Sequence, residues 1–320
     1  MRLSYAMCLT LLLLVATSAD AASRAEQVKV TILSTMLAGD PGAGIGEWGF
    51  AALVEVDGRR LLVDTGARPE TVLRNAEELG IDLATVTEAV ITHNHDDHTG
   101  GLMTLRRELG RKNAKALLRA HVAKGIFLSR PASDGRETNA FLATAKAYRE
   151  TGGRIVEHDE ASELLPNVWF TGPVPRVHPE RNWSGSGRLR GPEGLVEDTI
   201  PEDASIVVDT PEGLVLVSGC GHAGIVNTIE HARDVVREAP IVAAIGGFHL
   251  FAADDAHLAW TGKRLAAFGL GHLVGAHCTG IEATVRLREL AGLSRKTALV
   301  GAVGATYSRG EGIEPRALAQ

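Results

Sequence analysis

Six consecutive residues, His93-Asn94-His95-Asp96-Asp97-His98, hold three imidazoles and two carboxylates. Thr87 to Ile91, just before them, reads as a short apolar strand, and Leu102 to Leu109, just after, as an amphipathic helix ending at Gly110. The cluster therefore stands where a strand hands over to a helix. In extended backbone, side chains repeat on every second residue, so His93 and His95 point the same way with Asp97 close behind. Imidazole and carboxylate are the ligands that divalent transition metals take. The spacing is unlike the helical His-Glu-x-x-His motif, which needs its ligands one helical turn apart.

Down the chain, Val28 to Leu33 alternates as a strand, and a Gly-rich loop follows at Gly39 to Gly46. Trp48 to Val56 and Arg60 to Val63 form a hairpin about Asp57-Gly58, a favoured two-residue turn. A helix opening at Pro69 runs to Leu79, with Gly80 as its stop. Asp64 of Asp64-Thr65-Gly66 reads as a turn former. Lys115 to Ala120 is a strand ending at His121, whose apolar neighbours mark a structural histidine. Ser129 to Glu137 and Arg176 to Glu197 carry no sustained period and read as long loops. Arg181, Trp183, Arg188 and Arg190 could face a substrate from the second of these. Asn182-Trp183-Ser184 fits a glycosylation tripeptide too short to carry weight.

Strands at Ala204 to Asp209 and Leu214 to Ser218 lead into Gly219-Cys220-Gly221-His222, and a helix follows from Ile225 to Arg237. The strand Ile241 to Ile245 ends near His249, and a helix covers about Asp255 to Phe268. The strand Leu273 to Ala276 ends at His277-Cys278, ahead of a helix from Glu282 to Leu290. Strand, chemical residue, helix: the pattern occurs at His93, His222, His249 and His277. In α/β folds ligands gather where strands end and helices begin, so the four junctions are expected to converge on one site.

The chain has 320 residues, 45% hydrophobic, enough for a sizeable core. A formal charge of -6 argues against a nucleic-acid surface. Met1 to Ala21 reads as a signal peptide: Arg2 is the basic start, Leu9 to Ala16 the apolar run, and Ala19-Asp20-Ala21 the cleavage pattern. That run is too short to span a bilayer, so no stable membrane anchor is expected after cleavage. Residues 22–320 are expected to form one domain, periplasmic or secreted. Cys220 and Cys278 then remain in an oxidising compartment, where a disulfide competes with a metal role.

The His-x-His-x-Asp-His spacing resembles the metallo-β-lactamase superfamily position for position. Further blocks, Asp64-Thr65-Gly66, Ser218 to Thr228, Gly246 to Leu250 and His277 to Gly280, resemble the branch related to the archaeal dihydropterin–aminobenzene ribofuranosyl phosphate synthase. The resemblance implies an α/β fold, a four-layer αββα sandwich with its metal site at one edge of the paired sheets. It implies that His93 and His95 bind one metal, Asp97 and His98 a second, and that His277 completes the second site. Cys220 stands where the superfamily usually has a bridging Asp, and a thiolate can also bind metal. His222 fits this branch as the remaining ligand, whereas His178 is nearer the usual chain order; His222 is preferred because its block matches. Asp64 is expected beneath the site as an outer carboxylate that orients a ligand imidazole, with His249 a further candidate at the same edge. Asp96 stands where this branch often has an aromatic residue.

These residues imply a metal-dependent hydrolase of a small-molecule ester, lactone, amide or phosphoester. One or two ions, zinc first, with manganese or iron also compatible, would lower the pKa of water from 15.7 to about 7. Asp97 would bind metal and hold the hydroxide. The rivals are transfer chemistry on a pterin phosphate, against which the export segment weighs, and a non-catalytic metal-binding protein.

Overall fold

The computed structural model describes residues 24–319. The expected signal peptide, Met1 to Ala21, lies outside the described residues. The first half of the chain builds one sheet. β1 (Val28–Ser34), β2 (Ala51–Val56) and β3 (Arg59–Val63) are antiparallel neighbours, with Asp57-Gly58 turning between the last two. Then come α1 (Thr71–Glu78), β4 (Glu88–Ile91), the short helical turn α2 (Asp96–Thr99), α3 (Leu102–Lys112), β5 (Arg119–Ala123), α4 (Phe141–Glu150) and β6 (Arg154–His158). From β3 to β6 the strands pair in parallel.

The second half builds the facing sheet. Its strands open with β7 (Ser162–Leu165) and β8 (Val168–Phe170), followed by a separate two-stranded ribbon, β9 (Arg188–Gly191) and β10 (Gly194–Glu197). β11 (Ser205–Thr210), β12 (Gly213–Ser218), α5 (Ile225–Val235), β13 (Ile241–Gly246), α6 (Asp255–Ala267), β14 (His272–Gly275), α7 (Ile281–Leu290) and β15 (Ala298–Val300) follow, with β12 to β15 parallel. β16 (Thr306–Ser308) and β17 (Gly312–Glu314) return to the first sheet. The sheet orders are β17-β16-β1-β2-β3-β4-β5-β6 and β15-β14-β13-β12-β11-β8-β7.

Side-chain alternation explains the layering. Val28, Val30 and Ile32 of β1 meet Val215 and Val217 of β12 in the core between the sheets. Leu214 and Leu216, on the other face of β12, pack with Ile225, Ile229 and Leu265 of the covering helices. On the first sheet Leu53 and Leu62 pack outward with Val72 and Leu105, and Val122 packs with Phe141 and Tyr148. Helix, sheet, sheet, helix is the four-layer αββα sandwich that the resemblance implies.

Several local expectations are corrected. Trp48 to Phe50 precede β2 instead of starting it. α1 begins at Thr71, not Pro69. α3 runs through Gly110 to Lys112: Leu105 and Leu109 are buried on it, and packing offsets the roughly 1 kcal/mol that an interior glycine costs. His121 lies within β5, its ring between His158 (2.9 Å) and Glu88 (3.0 Å), which supports its structural reading. The segment 176–197 is not all loop, because it contains the β9–β10 ribbon.

That segment and 129–139 are tied down by a buried charge cluster. Arg130 donates to Asp198 at 2.6 Å and to Glu202 at 2.7 Å and 2.9 Å, and all three side chains are at most 8% exposed. Removing one partner from such a cluster strands the others in a medium that cannot solvate them. Arg130→Met is therefore expected to lower the unfolding free energy by about 3–5 kcal/mol. A urea midpoint equal to that of the wild type would show that the cluster contributes nothing.

Candidate metal centre

Four parallel strand ends deliver the chemical residues to one edge of the sandwich. β4 ends just before Thr92 and His93. His95 is still extended (φ -65, ψ 146), and α2 starts immediately after it. Asp97 therefore reaches the site from a helical turn, not from the extended chain that the sequence suggests. β12 leads to Cys220 and His222, β13 to His249, and β14 to His277 and Cys278.

Two triads form on either side of a thiol. The ligand atoms of His93, His95 and His222 lie within 4.8 Å of one another, and so do those of Asp97, His98 and His277. His93 Nε2 is 3.0 Å from His95 Nδ1, and Asp97 Oδ2 is 3.3 Å from His277 Nε2. Cys220 Sγ sits 3.3 Å from His98 Nε2 and forms a further group with His93 and His98, which places it between the triads. His178 is elsewhere, held by Glu230 at 2.7 Å. Of the two candidates for the remaining imidazole, the structure brings His222 to the site. Asp96 is exposed and joins neither triad.

The rings are oriented from behind. Asp64, fully buried, accepts from Thr92 N and Thr92 Oγ1, both at 2.8 Å, and from His98 Nδ1 at 2.7 Å. That bond puts the His98 proton on Nδ1 and turns Nε2 inward. His222 Nδ1 donates to the Asn182 carbonyl at 2.6 Å, which frees Nε2 in the same way. The carboxylate fits because residue 219 is glycine: a Cβ there would lie 2.2 Å from Thr92 Oγ1 and 2.4 Å from Asp64 Oδ2.

Burial holds His93 and His222 well below the usual imidazole range, with neighbouring rings adding to the effect, and pushes His95 down to about 4. All three are then neutral, the form that binds metal. Burial opposes ionisation of Asp97, but His98 and His277 outweigh it and hold the carboxyl well below its usual range. At His277 burial is outweighed by Cys278 and Asp97, which raise it to about 10. An ion would have to displace that proton.

The donor set fits a metal pair. Neutral imidazoles, a carboxylate and a thiol are what zinc-type ions accept. The buried nitrogen His222 Nε2 has no hydrogen-bond partner. Such orphans are rare and costly, and coordination would satisfy them.

The metallo-beta-lactamase superfamily sequence profile matches residues 49–236. The chain belongs to that superfamily. It is 28% identical over 269 residues to the 7,8-dihydropterin-6-methyl-4-(beta-D-ribofuranosyl)-aminobenzene-5'-phosphate synthase of Methanocaldococcus jannaschii, covering 81% of this chain and 90% of that one. It is 26% identical over 250 residues to an uncharacterized protein of the same archaeon, covering 76% and 88%. Among solved structures it resembles Tm1679, described as a metal-dependent hydrolase of the beta-lactamase superfamily, with a TM-score of 0.69 and 24% identity over 87% of this chain and 98% of that one. The Zn(2+)-bound PqqB of Methylobacterium extorquens aligns with a TM-score of 0.52 and 16% identity over 87% and 99%. These two likenesses show the metallo-β-lactamase fold.

A cavity of about 490 Å³ opens on the His95–His222 side, with His249, Arg181, Trp183 and Phe251 in its walls. Arg188 and Arg190 lie on the ribbon and do not line it. Trp48, 48% exposed, packs edge-on against Phe251 at 5.5 Å and over His277 at 4.9 Å.

Sequence reasoning missed Thr92, Trp48, Glu180 and Asn182. The Asn182 side chain is buried and directed at the Gly221 and Phe248 carbonyls, 3.4 Å and 3.3 Å away, so it is no glycan acceptor. Glu180 anchors this loop by accepting from Val226 N (3.2 Å) and Asn227 N (2.8 Å) at the start of α5. Burial raises the Glu180 carboxyl to about 7, against those two bonds. A raised carboxyl means that the folded state holds a proton that the unfolded chain has released. Stability from this group is therefore present below the usual carboxylate range and lost as pH rises toward 7. Glu180→Gln is expected to flatten this leg, which is worth on the order of 3 kcal/mol. Melting curves across pH 4 to 8 would check it, and an unchanged slope would refute it.

Proposed function

We propose that the chain is a metal-dependent hydrolase acting on a small-molecule ester, lactone, amide or phosphoester. What supports this most is the pair of triads flanking Cys220, the first with a buried and unpartnered imidazole nitrogen at His222 Nε2 and the second with a carboxylate between two imidazoles. His93, His95 and His222 would hold one ion, and Asp97, His98 and His277 the other, with Cys220 between them. When bound, such ions activate water as a nucleophile and polarise the scissile group. Zinc suits the nitrogen and sulfur donors best, and manganese or iron would be accepted by the rest.

The chain's own residues supply position. Asp64 and the Asn182 carbonyl fix two ring tautomers, and Asp97 stands between His98 and His277, where it can hold an attacking water in line. Trp183 and Phe251 offer apolar walls to the substrate and Arg181 a positive charge at the rim, although Glu197 pairs with that charge at 2.6 Å.

The test is metal analysis of purified protein together with hydrolysis of ester, lactone and phosphodiester panels. Folded protein that stays inactive with zinc and with manganese would sink the reading. The similarity to the archaeal synthase favours a second reading, group transfer on a pterin phosphate. It predicts product only when an acceptor other than water is supplied. We also propose export with cleavage near Ala21, which N-terminal sequencing of the mature protein would check.

A further inference from the structure

The residues Cys278 and His249 are left over from the two triads, yet they converge on the same thiol. We propose that Cys220, Cys278 and His249 form a further cation site that takes a thiophilic ion of the zinc, cadmium or copper(I) kind. The site stands beside the imidazole–carboxylate triads and does not require them.

Its three ligand atoms lie within 4.8 Å of one another. The two sulfurs are 3.2 Å apart, both residues are buried, and both are free thiols. Tetrahedral zinc with bonds of about 2.3 Å to sulfur needs them about 3.8 Å apart, so an ion enters after a small separation. Binding releases the thiol protons and places one cation against two thiolates. His249 Nδ1 is buried without a hydrogen-bond partner. The backbone turns sharply here: His249 at φ 47, and His277 beside Cys278 at φ 45, both adopt the left-handed conformation that is uncommon outside glycine. The strand ends also meet too closely for any side chain at Gly247, where a Cβ would lie 2.1 Å from the Gly219 carbonyl and 2.9 Å from Cys278 Sγ.

Sulfur donors select differently from the triads, since soft thiolate ligands favour zinc and copper(I) over magnesium, calcium or manganese. His249 also lines the substrate cavity, so an ion here would sit in the cavity wall. Cys220 would then serve two sites, as a bridging thiolate.

Cadmium titration of reduced, chelator-stripped protein tests this, with the sulfur-to-cadmium ultraviolet band and cadmium NMR as readouts. The wild type is expected to take up three equivalents. Cys278→Ala and His249→Ala should each take up two, and Cys278→Ala should lose a large part of the sulfur band. Should Cys278→Ala fail to fold, Cys278→Ser serves in its place. The His93→Ala/His95→Ala double variant should keep the sulfur-bound cadmium, which separates failure here from failure of the hydrolase reading. Saturation of the wild type at two equivalents, with an unchanged band in the Cys278 variant, would overturn the proposal. So would thiol counting that finds Cys220 and Cys278 paired, followed by no third equivalent after reduction.

Discussion

Asp97→Ala is expected to cut the rate of hydrolysis by about 10²–10⁴-fold while leaving the fold intact. The loss should be of this size because Asp97 is the one carboxylate in the two triads and has two jobs. It sits 3.3 Å from His277 and 3.8 Å from His98, so it completes the second triad, and it is also the group that can hold the attacking water. Its side chain is 21% exposed, in contrast to the fully buried His98 and His277, so truncation leaves no large cavity and the melting temperature should fall only by the loss of its pairing with His277 and His98. Metal content should fall by one ion, with the His93–His95–His222 site still loaded. Turnover that survives the substitution at near wild-type rate would remove the motif from the mechanism.

Asp64→Ala acts from the other side and should do more damage to the fold. The substitution strands the buried Thr92 N–H and His98 Nδ1 and leaves the Thr92 hydroxyl only His93 Nδ1, 3.1 Å away. Each buried group left without its partner costs about 1–3 kcal/mol, so a loss of about 2–6 kcal/mol for the two stranded groups is expected in denaturant unfolding. Metal affinity should fall by about 10–100-fold, because His98 loses the bond that fixes its tautomer and direction. Calorimetric zinc titration would measure the second effect. Affinity equal to that of the wild type would mean that the ring is held by packing alone.

The six-residue motif is legible because its ligands are nearly adjacent and local geometry suffices to bring them together. The distant ligands at Cys220, His222 and His277 are legible because each follows an apolar strand and precedes a helix, and parallel strands end at the same edge. Asp64 is different. An Asp before Thr-Gly looks like any turn, and only the family resemblance marks it, since its partners lie 28 and 34 residues away. The Asn182 contribution is invisible for a deeper reason: a carbonyl does the work, and every residue has one. Trp48 reads as strand because aromatic residues favour strands, but it lies ahead of β2, half exposed and packed on Phe251 and His277 at the rim of the site. The β9–β10 ribbon escapes notice because exposed Arg188, Arg190, Leu195 and Val196 do not alternate toward a common core.

The two triads and the thiol between them draw on both sheets. His93, His95 and His98 follow a strand of the first, whereas Cys220, His222 and His277 follow strands of the second, and the contact between His98 and Cys220 spans 122 residues. Neither half of the chain can assemble the set by itself. A metal held by this set would therefore act as a clasp across the sandwich. A nick in the segment joining the halves should leave them associated through the core between the sheets, and chelation should lower the melting temperature of the nicked protein more than that of the intact one.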